Sequence, residues 1–531
     1  MRSLKTIALV ILIFCIAACS SEAQSPDTNH IIISKIPSTA RPTLNPLFED
    51  DPVLLKILTG NIVLGLDYQE YFTDYYEIIK NKFNIDLQVN SPGMFGSYYE
   101  DAVMNDIFYF NMSLHIERKY MFDENYIIPF NDYVAESKTW AALPEEFRQA
   151  HMDAKGRIWA IPYNDTPLIW ARTIQSEWLK NTELEVPSTV DELYGLMQAF
   201  TYQDPDNNDK NDTFGAGLSD KLLRLYNFKD IFEANGCILS YQTYWTNEVG
   251  WVTNQMIAGY NPKTGMIEDQ LKNPGFMKSL EIIEAMLDNK LILREADMLV
   301  DGLFTNPKVG THMGILNDNI IYPEKYDYYY SLEGTDDDAK ATALIGNNEV
   351  FYLNSRAENP KKTVTAFLEM MFGSKENYEL FHYGLLGEDK LYSKTNEIIL
   401  KNDVNEKLAT HLELIGDISW FKSNVQSEYE LPAGGRFLNT EDIKKENDIL
   451  FLPHTYMSIL EYSTEVINMS PDGSYPTNPQ YYYRDLTDAI LAFYRGDINA
   501  RDLNEEFQKM HRLYDMEEWL ADVNQRWLGV N

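Results

Sequence analysis

Cysteine and positively charged residues are both scarce in this sequence of 531 residues. There are three cysteines, and 81 acidic residues stand against 45 lysines and arginines, which gives a formal net charge of −36. The electrostatic field of so negative a chain repels nucleic acid and anionic lipid headgroups, so we expect no nucleic-acid partner. With so few cysteines, the stability of the fold must come from packing and not from disulfides.

Familiar catalytic motifs are missing as well. The eight histidines are scattered, and the sequence contains no HExxH, CxxC or GxSxG motif and no glycine-rich phosphate loop. A glycosidase needs two carboxylates that face each other across a sugar, and among 81 acids no pattern singles out such a pair. No repeat with a period of about 20 to 50 residues is apparent. We therefore predict a binding protein, and not an enzyme.

Apolar and aromatic residues, in contrast, are plentiful. Hydrophobic residues make up 44% of the chain and aromatic residues 13%, with 35 tyrosines among them. A chain of this length is too long for one ordinary core, so two or more lobes are expected. The tyrosine content favours a cleft or surface that holds a flat or partly apolar ligand.

The N-terminus has the pattern of a secretory leader. Two basic residues, Arg2 and Lys5, precede an apolar run that is too short to span a membrane as a mature helix, and small residues follow it up to Cys19. Residues 16–19 resemble the bacterial lipobox, in which Cys19 would become the lipid-modified, palmitate-bearing first residue. The alternative is an ordinary leader with an incidental cysteine.

Processing at this position defines the mature chain. Loss of the signal peptide, residues 1–18, removes two positive charges and changes the net charge from −36 to −38. Residues 19–29 are polar and aperiodic, as expected of a flexible tether between the lipid and the folded body. Apart from Cys19, the mature chain keeps only Cys237, so no intramolecular disulfide can form.

Hydrophobic periodicity in the first hundred residues predicts a parallel sheet. We expect a strand at His30–Ile36, a helix starting at Asp51, a helix at Phe72–Phe83 and a strand at Ile85–Val89, in which apolar and polar residues alternate. Another short apolar strand is predicted at Asp106–Phe110. Strand, helix and strand in this order are typical of a doubly wound α/β fold.

Clear boundary signals mark several later elements. Thr189, with Glu192 three residues later, predicts a capping box at the start of a helix, and Pro274 predicts the first turn of another. We expect one strand at Ala343–Leu353 and a helix at Pro360–Phe372. Two amphipathic helices, Asp485–Arg495 and Asp502–Tyr514, are explained by core packing alone.

Several phrases of this chain resemble those of bacterial solute-binding lipoproteins of ABC sugar importers. The most specific is KGRIWAIPYNDTPLIWARTIQSEWL, residues 155–179. In that family such a strand leaves the first lobe and enters the second, and an arginine and a "WL" helix follow, here Arg172 and Trp178 with Leu179. VPSTVDEL at 186–193 and FHYGLLGEDKL at 381–391 also resemble family phrases, although Leu386 replaces the family's acid.

The resemblance implies an α/β, two-lobe periplasmic-binding-protein-like fold with a hinge of crossing segments. Lobe one would contain residues 30–161 and 351–410, and lobe two residues 162–350 and 411–531. It implies a monomer, anchored through Cys19 in the lipid bilayer at the extracytoplasmic face of the cell membrane. The protein would capture an oligosaccharide ligand and deliver it to the transmembrane subunits of an ABC permease.

Two alternatives share the size and the anchor of this protein. One is an oligopeptide-binding protein of an ABC importer, which would depend on backbone-like pairing along an extended ligand. The other is a helical surface lipoprotein that captures glycans. The early strand, helix and strand pattern argues against the helical protein.

A sugar binder needs aromatic rings that stack on pyranose faces and polar groups that satisfy hydroxyls. The candidates after the first crossing are Tyr163, Asn164 and Asp165. Three tryptophans are further candidates, each with core packing as the alternative: Trp245, Trp251 and Trp420. We assign Trp178, Trp519 and Trp527 to core packing. Arg157 or Arg172 could favour an acidic glycan locally, but neutral sugars are electrostatically easier to bind.

The segment DPDNNDKNDTFG, Asp204 to Gly215, has oxygen-bearing side chains at alternate positions, as in loops that wrap a hard cation. It lacks the glycine and the bidentate glutamate of an EF-hand, because Asp209 and Gly215 occupy those positions. It is similar to the calcium loop of alginate-binding solute binders. The predicted ligands of a structural Ca²⁺ are Asp204, Asp206, Asn208, Lys210 through its carbonyl, Asp212 and Thr213. The alternative is a solvated acidic turn.

Overall fold

The structure is a computed structural model that describes residues 47–48, 51–59, 73–90, 98–111, 121, 124–165, 167–218, 224–246, 250–293, 308–315, 320–321, 325–334, 341–345, 349–383, 391–392, 398–399, 425–426, 436–437, 449–452 and 480–528. All of them belong to one unit, Pro46–Asn531. The predicted leader, the tether, Cys19, the strand at His30–Ile36 and Trp420 lie outside these residues. Within the described part of the chain, no helix has the length and apolar character needed to cross a membrane.

The strands are short and spread along the whole described chain. In order they are β1 Val53–Leu58, β2 Ile85–Asn90, β3 Ile107–Asn111, β4 Ile127–Ile128, β5 Ile161–Pro162, β6 Pro167–Gln175, β7 Phe214–Gly217, β8 Ser240–Thr246, β9 Gly250–Met256, β10 Ala258–Asn261, β11 Met266–Asp269, β12 Ile292–Leu293, β13 Val309–Ile315, β14 Ile320–Ile321, β15 Tyr326–Tyr329, β16 Thr342–Ile345, β17 Glu349–Asn354, β18 Leu391–Tyr392, β19 Ile398–Ile399, β20 Val425–Gln426, β21 Arg436–Phe437 and β22 Leu450–Leu452.

Helices lie between the strands and at the C-terminus. They are α1 Thr73–Phe83, α2 Tyr98–Ala102, α3 Asn131–Val134, α4 Lys138–Ala142, α5 Glu145–Gln149, α6 Ser176–Thr182, α7 Val190–Tyr202, α8 Lys229–Ala234, α9 Pro274–Asp288, α10 Pro360–Phe372, α11 Lys375–Tyr383, α12 Gln480–Arg495, α13 Ala500–Leu513 and α14 Met516–Trp527, with 3₁₀ turns at Arg224–Phe228 and Gln270–Lys272.

The first sheet has six strands in the order β2-β1-β3-β17-β4, and β5 also pairs with β17. β1 runs parallel to β2 and β3, whereas β17 is antiparallel to β3. The predicted helix Phe72–Phe83 and the predicted strand Ile85–Val89 are confirmed as α1 and β2, and the strand that precedes them is β1. The helix predicted from Asp51 is wrong because β1 occupies that position, and the predicted first strand lies outside the described residues. Val53, Leu55 and Ile57 are buried on one face of a strand, and this period of two outweighed the helical interpretation.

The second sheet has seven strands in the order β12-β7-β13-β6-β16-β22, and β15 also pairs with β6. The predicted capping box of α7 is present: the Glu192 backbone N–H donates to Thr189 Oγ1 at 3.2 Å, and the Glu192 carboxylate accepts from the Thr189 N–H at 3.2 Å. The helices predicted in the C-terminal region are confirmed as α12 and α13. With α14 they contribute to the same core as this sheet.

The segment predicted as one strand, Ala343–Leu353, is two strands in different sheets. β16 ends at Ile345, opposite Pro167 of β6, and β17 has Val350 opposite Pro162 of β5. The sequence between them is Gly-Asn-Asn, residues that break strands. The chain therefore crosses between the sheets at 163–166 and again at 346–348. On one side of these crossings Pro162 pairs with Val350 in the first sheet, and on the other side Pro167 pairs with Ile345 in the second sheet.

Candidate functional site

The first crossing begins with three buried residues, which are the first predicted binding residues. Tyr163, Asn164 and Asp165 keep 9%, 8% and 3% of their surface exposed. The Tyr163 ring contacts Tyr109 edge-on at a centroid distance of 5.3 Å. Its backbone N–H donates to the Glu349 carbonyl at 3.0 Å and so joins the two crossings. The Tyr163 ring belongs to the hydrophobic core that packs against the first sheet, and its role as a stacking platform stays a prediction.

Glu349 is a residue at this place that the sequence did not point to. It begins β17 opposite Asn111, and its half-buried carboxylate accepts a hydrogen bond from the Tyr109 hydroxyl. Glu349 lay inside the segment that was predicted as one continuous strand. An acid directly before the apolar run from Val350 was the local signal that a new strand begins there. Two carboxylates, on Asp165 and Glu349, therefore border the crossings.

Arg172, the arginine of the family phrase, is fully enclosed in the second lobe. Its guanidinium binds Asp230 with two hydrogen bonds, Nε to Oδ2 at 2.7 Å and Nη2 to Oδ1 at 2.9 Å. The Tyr329 hydroxyl donates to Asp230 Oδ2 at 2.6 Å, so two strands, β6 and β15, and helix α8 meet at one carboxylate. Burial alone would lower the pKa of Arg172, but the adjacent Asp230 raises it on balance, and the charged pair is stable.

A second buried ion pair lies on helix α8, which also carries Asp230. Lys229 Nζ donates to Glu233 Oε1 at 2.5 Å, and the same carboxylate oxygen accepts from the Thr342 backbone N–H at 2.9 Å. Burial raises the pKa of Glu233, and the Lys229 charge opposes this shift. Because Thr342 begins β16, this pair fixes helix α8 to the strand that leads into the second crossing.

Arg157, the other candidate for an anion contact, has a carboxylate partner of its own. Its Nε donates to Asp153 Oδ2 at 2.6 Å, and the guanidinium carbon lies 4.9 Å from the centre of the Trp159 ring. The same carboxylate oxygen accepts from Trp159 Nε1 at 3.0 Å. The charge of Arg157 is therefore balanced locally, and its guanidinium lies over the face of an aromatic ring.

His312 lies on the strand next to Arg172 and is 5% exposed. Burial first, and the Arg172 charge second, lower its pKa from 6.5 to about 4. In the unfolded chain the imidazole takes up a proton below about pH 6.5, whereas the folded protein keeps it neutral. The resulting stability is fully present above that pH and is lost as the pH falls towards 4.

We expect this single residue to remove up to about 3 kcal/mol of unfolding free energy between about pH 6.5 and about pH 4. The measurement is denaturant unfolding across that range for the natural protein and for His312→Gln. Carboxylates titrate in both proteins, so the difference between the two curves isolates the imidazole. Parallel curves would show that His312 is not held neutral by the fold.

The acidic loop is folded around its own side chains. The Asp204 carboxylate accepts from the backbone N–H groups of Asn208 and Asp209 at 3.1 and 2.9 Å. The Asn208 amide donates to Asp206 Oδ2 at 2.7 Å and to Asp212 Oδ1 at 3.3 Å. Lys308 Nζ lies 3.3 Å from Asp212 Oδ2. The predicted oxygen donors are therefore close neighbours, joined through Asn208.

Not every predicted ligand faces this loop. The Thr213 side chain is buried, and its hydroxyl donates to the Phe200 carbonyl at 2.8 Å, so it secures the loop to helix α7. Lys210 is exposed. Asp206 is exposed, but partial desolvation, then the hydrogen bond and charge of Asp204 and the charge of Asp212, raise its pKa. Among the described residues no group of three His, Cys, Asp or Glu has the geometry of a metal site, and calcium stays a prediction.

The predicted tryptophans have different surroundings. Trp245 and Trp251 are register partners in the two-stranded sheet formed by β8 and β9. Trp178 is buried, and its ring meets Phe200 edge-on at 5.4 Å, which confirms the prediction of core packing. Trp519 and Trp527 are buried too, as predicted. The assignment of these three tryptophans to the core is therefore confirmed, and the binding role of Trp245 and Trp251 stays a prediction.

Comparison with known proteins reveals related sequences and folds. No family model matches the chain. It is 27% identical over 256 residues to a polygalacturonan/rhamnogalacturonan-binding protein of Bacillus subtilis, covering 45% of this chain and 48% of the relative. It is 23% identical over 312 residues to a fructooligosaccharide ABC transporter substrate-binding protein of Streptococcus pneumoniae, covering 53% and 51%. The chain thus spans about half the length of the curated relatives it matches.

The fold itself is shared over a greater length. An extracellular solute-binding protein from Bifidobacterium longum subsp. infantis superimposes with a TM-score of 0.56 at 14% identity, over 91% of this chain and 99% of that chain. The predicted α/β, two-lobe solute-binding fold is confirmed. One of these relatives is a binding protein and the other a substrate-binding protein of an ABC transporter, in agreement with the prediction of a binding protein and not an enzyme.

Proposed function

We propose that this protein captures an oligosaccharide between its two lobes and delivers it to the transmembrane subunits of an ABC importer. The observation that carries this proposal is the pair of crossings at 163–166 and 346–348, which connect two separate sheets side by side. Two such short connections form a hinge, about which one sheet and its helices rotate over the other. No covalent step is required.

The crossings also suggest where each lobe begins and ends. The predicted lobe one was residues 30–161 and 351–410, and the predicted lobe two was residues 162–350 and 411–531. Because Pro162 and Glu349 pair within the first sheet, lobe one would extend to 162 and resume at 349, and the third crossing would lie after residue 400. A bound sugar would contact both lobes and so stabilise the closed form over the open form. The permease would then recognise that closed form.

The N-terminal pattern supports an anchored location. We propose cleavage after residue 18, lipid modification of Cys19 and a flexible tether at residues 19–29. The protein would act as a monomer at the extracytoplasmic face of the cell membrane, within reach of its permease. Mass spectrometry of the purified protein after Cys19→Ala substitution would then show the loss of the lipid.

The relatives leave two chemical classes of sugar open for this chain. Polygalacturonan consists of uronate units and is acidic, whereas fructooligosaccharides are neutral. The test of the function is thermal unfolding of residues 20–531 against a panel of neutral oligosaccharides, oligogalacturonides and peptides. A ligand at a hundredfold its Kd should add about 2.7 kcal/mol of stability. A shift with peptides alone would favour the oligopeptide binder, and cleaved sugar in the tube would contradict binding without chemistry.

We also propose that the loop from Asp204 to Asp212 binds one structural Ca²⁺. Asn208 holds Asp206 and Asp212 close together, and partial desolvation, then the hydrogen bond and charge of Asp204, raise the pKa of Asp206; a cation would relieve this repulsion. Calcium should therefore raise the unfolding temperature, and a chelator should lower it. The effect should disappear in Asp206→Asn and persist in Asp209→Asn, which removes the same charge from the same loop at a position outside the predicted ligand set. An equal loss in both variants would indicate a general charge effect.

A further inference from the structure

We infer that Tyr109 and Glu349 are positioning residues of the ligand cleft, an inference that rests on the proposed function. They hold the first-lobe ends of both crossings in the geometry to which the sugar binds. Glu349 is the first residue of β17, directly after the second crossing, and Tyr163 begins the first crossing directly after β5. Tyr109 lies on β3, the strand that pairs with β17.

Glu349 connects the two crossings through both its backbone and its side chain. Its backbone carbonyl accepts a hydrogen bond from the Tyr163 N–H at 3.0 Å. Its carboxylate accepts another from the Tyr109 hydroxyl. Tyr109 is opposite Phe351 in the ladder, so Glu349 is its diagonal neighbour, a position that a long side chain can reach across a sheet. One residue therefore joins the start of the first crossing, the end of the second and the adjacent strand.

The Tyr109 ring in turn helps to fix the ring of Tyr163. The two rings meet edge-on at a centroid distance of 5.3 Å, and they contact Phe351 at centroid distances of 6.3 and 5.8 Å. All three side chains belong to the hydrophobic core that packs against the first sheet. A buried tyrosine hydroxyl needs a hydrogen-bond partner, and Glu349 supplies one where this core reaches the crossings. Loss of this hydrogen bond loosens Tyr109, and Tyr163 through it.

Preorganisation of the cleft connects this contact to ligand affinity. Asn164 and Asp165, the buried polar residues predicted to bind the sugar, follow Tyr163 directly along the chain. If the end of β5 and the start of β17 shift, these two residues shift with them. Ligand binding must then restore their order, and that free-energy cost reduces the affinity. The contact between Tyr109 and Glu349 thus keeps the cleft of the free protein ready for the sugar.

Titration calorimetry on residues 20–531 measures this effect. The probe is the member of the unfolding panel that binds the natural protein most tightly, with trigalacturonate and kestose as the first two tested. Tyr109→Phe removes the hydroxyl and keeps the ring, so it should weaken binding about threefold to tenfold. Glu349→Ala should weaken binding by a similar factor. The double variant should bind no more weakly than the weaker single variant, because both substitutions break the same contact.

A matched pair of a tyrosine and a carboxylate serves as the control. The Tyr514 hydroxyl donates to Asp485 Oδ2 at 2.9 Å, and Tyr514 is 8% exposed, as is Tyr109. This second pair lies among the C-terminal helices. Tyr514→Phe should reduce stability in denaturant unfolding by a comparable amount, without a change in the Kd of the probe. Equal weakening of binding by Tyr514→Phe and Tyr109→Phe would show a general effect of stability and would overturn the inference.

Glu349→Gln separates positioning from direct contact with the ligand. The amide keeps an acceptor for the Tyr109 hydroxyl, so Glu349→Gln should recover most of the affinity that Glu349→Ala loses. A loss as large as that of Glu349→Ala would contradict positioning, since the charge itself would then be required. Unchanged affinity in Tyr109→Phe would also overturn the inference and leave the proposed function intact. Silence of the natural protein towards every sugar would instead reject the proposed function.

Discussion

Replacing Asp230 by alanine will lower the free energy of unfolding by about 3–5 kcal/mol. The substitution leaves the Arg172 guanidinium, which is 1% exposed, in the core without its carboxylate. It also removes the acceptor of the Tyr329 hydroxyl. The penalty comes from a buried charge that has lost its partner, so chemical denaturation of the ligand-free protein is the appropriate measurement.

Two controls separate this explanation from simple loss of an ion pair. Glu136→Ala breaks an exposed pair, in which Lys361 Nζ lies 2.8 Å from Glu136 Oε2, and should change stability little. The double variant Arg172→Met with Asp230→Leu removes both charges and should recover much of the loss. A double variant as unstable as Asp230→Ala would indicate that the pair is needed for its geometry and not only for its charge balance.

Truncating Trp178 to alanine will produce a loss of similar size, about 3–5 kcal/mol, for a different reason. The ring is 3% exposed and lies edge-on against Phe200 at 5.4 Å, between helix α6 and helix α7. Removal of the Trp178 ring leaves a cavity in the hydrophobic core that the second sheet shares with the C-terminal helices. Leu184→Ala, a matched control at a side chain that is 39% exposed, should change stability by no more than about 0.5 kcal/mol.

Gly310 offers a further check on the same contact. A Cβ atom at this position would meet Phe200 Cδ2 at 2.2 Å and Trp178 Cε3 at 2.7 Å, so Gly310→Ala should itself destabilise the protein. In the Trp178→Ala background the Phe200 ring can shift into the vacated space and so make room for the new methyl group. The double variant should therefore be more stable than the sum of the two single losses predicts. Strict additivity would contradict this packing arrangement.

Elements with strong local signals were predictable from the sequence. The capping box at Thr189 and Glu192, and the helix begun by Pro274, are both present because the groups that define them lie within one turn. The strand at Val53–Leu58 was mistaken for a helix, since a short apolar run does not settle its own period. This segment is a strand because it pairs with β2 and β3 and buries one face in the core of the first sheet.

The candidate site was less predictable, because its partners are distant in sequence. Arg172 and Asp230 are separated by 58 residues, and Tyr109 and Glu349 by 240, so no local pattern connects them. The second crossing was hidden inside an apparently continuous strand, although Gly346 was a visible breaker. Resemblance to a family supplied the two-lobe plan, but only the tertiary structure shows which charges are already paired.

Small-angle scattering of residues 20–531, free and with a saturating oligosaccharide found in the unfolding panel, tests the central claim most directly. If the sugar is captured between two lobes that rotate about the crossings at 163–166 and 346–348, its addition will reduce the radius of gyration. The same sugar should be recovered intact afterwards. A protein that binds the sugar with no change in its radius of gyration would contradict capture by closure of the two lobes.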